Sequence, residues 1–101
     1  MAAYIISHVT IHDETNARDY RERAARSIAQ HGGKYLARAG AIEVLEGAWS
    51  PRAIIIVEFP DMERARAWYR SAEYAEALKF RDAALDRDLI PVDGVQRQLV
   101  E

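Results

Sequence analysis

Two helical periodicities set among four strand-like runs, in the order β-α-β-β-α-β, predict an α+β domain of the ferredoxin-like class with a four-stranded antiparallel sheet. The third strand-like run is the most apolar in the chain and the fourth contains Pro91, matching the central and edge places that this order assigns to them. The first and third runs are apolar on both alternating faces, whereas two helices cover only one face of such a sheet. The 101 residues suffice for one small domain, 1–101, with a single core.

Residues 3–12, AYIISHVTIH, are rich in β-branched and aromatic types and read as the first strand. Asp13, Glu14, Thr15 and Asn16 then start a helix. Ala17, Tyr20, Ala24 and Ile28 recur at steps of three and four and form its inward face. Glu14–Arg18, Asp19–Arg23 and Glu22–Arg26 are spaced to pair on the outer face, each worth roughly 0.2–0.5 kcal/mol. His31, Gly32 and Gly33 close the helix, a glycine taking the left-handed cap.

Residues 34–46 read as a second strand broken near Gly40, with a turn at 47–51. The third strand covers 52–59 and stops at Pro60 and Asp61, where Asp61 can cap the next helix. Ala65, Trp68, Tyr69 and Ala72 form that helix's apolar stripe. Ser71 offers a second N-cap, so the helix is expected to bend or restart there, with Tyr74, Leu78 and Leu85 continuing inward. A short edge strand at 88–93 and an extended or loose tail, VQRQLVE, complete the chain.

Bulk properties exclude several classes. Half the residues are apolar and 30% are charged, a globular mixture. A net charge of −2 provides no basic field for nucleic acid or anionic lipid. No apolar run approaches the roughly 20 residues of a membrane span. Residues 1–20 lack a signal-peptide pattern and the chain has no cysteine, so a cytoplasmic setting is expected and thiolate chemistry is excluded. No nucleophile elbow, P-loop or dinucleotide glycine fingerprint occurs. No histidine pair has helical ligand spacing, so neither a metal nor a cofactor is expected.

In the third strand Arg52, Ile54, Ile56 and Glu58 face one way, and Ala53, Ile55, Val57 and Phe59 the other. Leaving such a second face wet exposes several large side chains together, which monomers rarely do. Burying one isoleucine is worth roughly 1.5–3 kcal/mol. A homodimer through the sheet face is therefore the expected state.

The segments GGKYLARAGAIEVLEGAW, PRAIIIVEFPDMERARAWY and SAEY resemble a small bacterial family called domain of unknown function 1330, over residues 3 to about 95. Ala39 stands where that family usually has glycine, and Ala72 where it commonly has proline. The resemblance implies a dimeric α+β barrel, two ferredoxin-like units with their sheets face to face. Relatives in that superfamily include cofactor-free monooxygenases, muconolactone-type isomerases, dye-type peroxidases and haem-degrading enzymes, alongside proteins without demonstrated chemistry.

Five residues stand out as candidate ligand contacts: His8, Arg38, Glu58, Trp68 and Tyr74. Glu58 ends the greasiest strand, and Arg38 on the second strand is expected diagonal to it, as a structural ion pair or an anion clamp. His8 shares the face of Tyr4 and Ile6, as a hydrogen-bonded packing residue or a base. Trp68 and Tyr74 either pack a solid core or hold a small hydrophobic ligand, with Arg81 in reach; the resemblance implies the second role. Trp49 on its turn is expected at a dimer contact. Two functions follow: a non-catalytic binding or accessory dimer, or a cofactor-independent enzyme acting on a small hydrophobic substrate. A solid core around Trp68 favours the first, and a closed polar-lined pocket the second.

Overall fold

Strand alternation and helix caps set the architecture. In the computed structural model, which describes residues 1–95, β1 (Ala3–Ile11) alternates between buried and half-exposed residues along nearly its whole length. Asp13 ends the extended backbone and caps α1 (Glu14–Gln30), its carboxylate accepting the amide protons of Thr15 and Asn16 at 3.0 and 3.2 Å. Gly32 closes the helix at φ 79°, and the Gly33 amide donates back to the Ile28 carbonyl at 2.9 Å. β2 (Lys34–Arg38) and β3 (Ala53–Phe59) follow, and Asp61 caps α2 (Met62–Tyr69) through the Arg64 amide at 2.8 Å. Ser71 caps α3 (Ala72–Ala84), which runs directly into β4 (Leu85–Asp93).

The sheet order is β2-β3-β1-β4, with every neighbour antiparallel. This is the ferredoxin-like arrangement, with β3 and β1 central and β4, carrying Pro91, at an edge. All three helices lie on one face. Ala17, Tyr20, Ala24 and Ile28 of α1 are buried, together with Ala65 and Trp68 of α2 and Tyr74 of α3. They meet Ala3, Ile5, Val9, Val57 and Phe59 of the sheet in one core. The opposite face carries Tyr4 and Ile6, paired with Glu58 and Ile56 on one side and with Val92 and Ile90 on the other. Ile90 is 55% exposed and Val92 39%.

Several expectations are corrected. The second strand ends at Arg38, not near residue 46, and residues 40–50 are exposed irregular chain. The break is not at Gly40: the register slips between Tyr35 and Ala37, leaving Leu36 as the extra residue. Directly after β2, Ala39 has φ 58°, the left-handed region that favours glycine, and its amide still bonds the Ile54 carbonyl at 3.0 Å. Tyr69, the last residue of α2, is exposed rather than inward, and so is Ala72, because the helix restarts at Ser71 and resets its phase. Leu85 is buried as the first residue of β4, which begins three residues before the expected 88. Of the expected α1 ion pairs, Glu22–Arg26 forms at 3.7 Å; Glu14 turns to Arg21 at 2.8 Å and Arg23 lies over the Phe80 ring. Gln96–Glu101 of the tail lie outside the described residues.

Gly33 is held by packing. A Cβ there would lie 2.7 Å from both Ile28 Cγ2 and Phe59 Cε1, two buried side chains. Gly33→Ala is expected to lower stability by about 1–3 kcal/mol through overpacking. Gly40→Ala, with nothing within 4 Å of the new Cβ, should stay within about 0.5 kcal/mol. Urea unfolding midpoints of both variants check this, and equal midpoints would refute the packing account.

Candidate functional site

Helix α1 does not close fully onto the sheet. Between them lies a cavity of about 390 Å³. Ile5, Ser7 and Val9 of β1 and Ile55 and Val57 of β3 form its floor, and Tyr20, Ala24 and Ile28 of α1 its roof. Trp68 borders it from α2, Tyr35 and Arg38 from β2, and Arg87 from β4. Most of the wall is apolar, and the polar groups stand at particular points. Ser7 is buried on the floor.

One hydrogen-bond chain organises the polar side. The Tyr20 and Tyr74 hydroxyls are 2.7 Å apart, and Arg87 Nη1 donates to the Tyr20 oxygen. Tyr74 is 0% exposed, and Tyr20 is the only acceptor within reach of its hydroxyl proton among the described residues. A buried O–H without an acceptor costs about 1–3 kcal/mol, so Tyr74 donates to Tyr20. The Tyr20 oxygen then receives two protons, from Tyr74 and Arg87. Its own proton is left for the cavity, whose wall includes Tyr20 but not Tyr74. Burial, and next the neighbouring Tyr74, push the Tyr20 pKa far above the ordinary phenol value, so the group stays protonated and donating. Burial also raises Tyr35, less than it would without Arg38, whose guanidinium carbon lies 4.3 Å from the Tyr35 ring centre. Neither Arg38 nor Arg87 has a carboxylate within ion-pair distance among the described residues.

The five expected contacts separate between the two faces of the sheet. Arg38 and Trp68 border the cavity, and Tyr74 stands behind it, holding Tyr20. Trp68 is 2% exposed, with its ring centre 4.2 Å from that of Tyr74 and 5.5 Å from that of Phe59. Its indole N–H donates to Ser27 Oγ at 2.9 Å, and Ser27 to the Ala24 carbonyl at 2.8 Å. The solid aromatic core and the polar-lined cavity are thus both present, with Trp68 as the wall between them. His8 and Glu58 lie on the helix-free face. His8 Nε2 accepts the Arg52 amide at 3.0 Å, an arrangement open to the neutral ring with its proton on Nδ1. Trp49 packs edge-on against the same ring at 5.7 Å.

The expected Arg38–Glu58 pair does not form. Glu58 meets Lys34 at 3.5 Å, an exposed contact worth at most about 1 kcal/mol. Without a bulge, strict alternation from Lys34 would put Arg38 on the Glu58 face. The extra residue at Leu36 reverses that, and Arg38 pairs in register with Ile55 on the helix side. Arg81 does not reach the cavity; it binds Asp82 at 3.2 Å beside a different cleft. Sequence reasoning missed Tyr20, Tyr35 and Arg87 as polar wall residues. The alternation of Leu85, Arg87 and Leu89 carried a signal, visible only once the strand is begun at 85. Among the described residues no group of three or more His, Asp or Glu side chains is arranged for a metal, and no helix is long and apolar enough to cross a membrane.

The Tyr20 environment sets a pH dependence. Its pKa is raised in the folded chain, so its contribution to stability is complete below the unfolded value near 10. As pH climbs past that value the unfolded chain ionises while the folded chain resists, and stability falls by about 1.4 kcal/mol per pH unit on this account. Tyr20→Phe should be less stable at neutral pH yet lose less stability between pH 9 and about 11. Urea unfolding of both proteins across that range is the check, and parallel slopes would contradict it.

Solved structures share this architecture. A protein of unknown function from Rhodopseudomonas palustris superposes with a TM-score of 0.76 at 19% identity, over 95% of this chain and 84% of that one. SnoaB, a cofactor-independent oxygenase from Streptomyces nogalater, gives 0.66 at 13% identity, over 99% and 98%. A dimeric protein of unknown function with a ferredoxin-like fold from Bacteroides fragilis gives 0.61 at 10% identity, over 92% and 96%. At these identities the likeness is one of fold. No curated protein matches the chain. The family model of domain of unknown function 1330 (DUF1330) matches residues 2–95, almost the whole of the described structure, and the chain therefore belongs to that family.

Proposed function

We propose that the protein is a homodimeric binding module whose helix–sheet cavity takes a small amphipathic anion, an apolar body of aromatic size carrying a carboxylate or enolate. The observation that carries this reading is the Tyr20 hydroxyl, whose proton is left for the cavity beside the Arg87 guanidinium. A charged donor next to a neutral one suits an oxyanion, and charge-assisted bonds of this kind are roughly twice as strong as neutral ones. Arg38 adds a second cation from the β2 side, and the apolar floor favours a hydrophobic body. His8 and Glu58, on the other face, have no part in this site.

The helix-free face supports the dimer. Tyr4, Ile6, Ile54 and Ile56, half-exposed, and Ile90 and Val92, exposed, spread across the three strands β1, β3 and β4 with no helix over them. A second copy offers the same apolar surface, and a two-fold axis lets one patch cover both. Trp49, 64% exposed and seated on His8, borders that patch and fits a contact with the partner. The neighbour from Bacteroides fragilis is itself described as dimeric.

One observation favours the enzyme reading. The Tyr20–Arg87 donor pair is also suited to an oxyanion that develops during a reaction, as in cofactor-independent oxidation or isomerisation. SnoaB is described as an oxygenase of the cofactor-independent kind. The titratable groups on the described wall are Arg and Tyr, which hold an anion better than they remove a proton from carbon. Binding is therefore the primary reading.

Titration with 1-naphthoate, followed by its fluorescence, should give saturable binding with one site per protomer. Arg87→Met and Arg38→Met should each weaken it by about tenfold or more, and methyl 1-naphthoate should bind at least about tenfold less tightly than the acid. Equal binding of the ester and the acid would sink the anion site. Oxygen uptake or double-bond migration in a panel of enolisable aromatic ketones, lost in Tyr20→Phe, would instead establish the enzyme reading. For the dimer, sedimentation velocity at micromolar concentration should give twice the mass of one chain. Ile56→Asp should drive it to a monomer or into aggregates. A well-folded monomeric wild-type chain would refute the dimer.

A further inference from the structure

A second cleft, of about 420 Å³, lies beside the first, between the helices and the β4 edge. Four arginines line it: Arg66 and Arg70 from the end of α2, Arg81 near the end of α3, and Arg87 from β4. Its floor is apolar, made by Ile5, Leu89 and Pro91, and Tyr69 stands at the wall, 42% exposed.

Charge balance here is unusual. Asp82 meets Arg81 at 3.2 Å; among the described residues no carboxylate lies within ion-pair distance of Arg66, Arg70 or Arg87. A helix C-terminus attracts cations, which accounts for some of this basic character on α2 and α3. It does not account for Arg87, which sits in a strand. Nor does it explain why Arg66 and Arg70, one turn apart and mutually repelling, share a cleft with two further guanidiniums.

We infer that this cleft is a separate anion site, and that it takes a phosphate monoester with a small apolar or aromatic substituent. A guanidinium presents a planar fork that matches two oxygens of a phosphate, and several forks can share the three terminal oxygens of a dianion. A carboxylate, with two oxygens and one charge, satisfies fewer of them. The substituent packs on Leu89, Pro91 and the Tyr69 ring. This assignment does not rest on the naphthoate reading of the first cavity: Arg66 and Arg70 belong to the second cleft alone, while Arg87 stands between the two.

Phenyl phosphate is the probe, with benzoate and inorganic phosphate as controls, titrated by calorimetry at low salt. Phenyl phosphate should bind at least about tenfold more tightly than benzoate, and also more tightly than inorganic phosphate. The double variant Arg66→Gln with Arg70→Gln should weaken phenyl phosphate by about tenfold or more while leaving 1-naphthoate binding and the urea midpoint unchanged. Both positions are exposed, so the fold should tolerate the change. Undiminished phenyl phosphate binding in the double variant would overturn the assignment. So would a loss produced equally by Arg38→Met, which would place the phosphate in the first cavity. Inorganic phosphate binding as tightly as phenyl phosphate would overturn the substituent's role in the cleft.

Discussion

A sheet that is apolar on both sides has to be covered twice, and most of this protein's organisation follows from that condition. The first cover is built from the chain itself. Asp13, Asp61 and Ser71 start three helices at the points where strand pattern or preceding helix ends, and each helix turns its apolar face to the same side. Phe59, Trp68 and Tyr74 then fill the centre of that layer, with tilted ring contacts in place of interlocked aliphatic chains. On the other side Ile6 has an isoleucine beside it in each neighbouring strand, Ile56 and Ile90, so the apolar band runs across the central sheet to one edge.

The polar chemistry is concentrated where the first cover is incomplete. Buried hydroxyls tolerate little ambiguity, because each proton needs an acceptor in a region without water. Tyr74 is wholly enclosed and has one acceptor among the described residues, which fixes the direction of the whole chain of bonds. The outcome is a phenol that faces the cavity with a proton to give, backed by a guanidinium. The same enclosure that makes Tyr74 a core residue thus determines what Tyr20 can do.

Much of this was legible before any coordinates. The element order, the central place of the IIIV strand and the edge place of the proline strand follow from periodicity and turn chemistry, and the sheet bears them out. The restart at Ser71 was readable because a serine hydroxyl ahead of a helical run has one dominant use. The site was harder to read. Trp68 and Tyr74 stood out by size and by the family resemblance, and their bulk serves the core as much as the cavity. Tyr20 looked like any other inward-facing aromatic, and its hydrogen-bond partners lie 54 and 67 residues away in the chain. Arg87 was hidden because the sequence pattern begins the last strand at Asp88, one residue after it, whereas it starts at Leu85.

The bulge at Leu36 shows how little sequence change separates two chemistries. A strand has two sides, and one supernumerary residue exchanges them for everything downstream. Arg38 and Ala39 thereby border the helix-side cavity instead of the helix-free face. Deleting that single residue would redirect a permanent positive charge from one side of the sheet to the other: the cavity would lose a cation and the helix-free apolar face would acquire one. In this chain a one-codon insertion or deletion in that short strand would therefore switch the side of the sheet an arginine serves, without replacing any side chain.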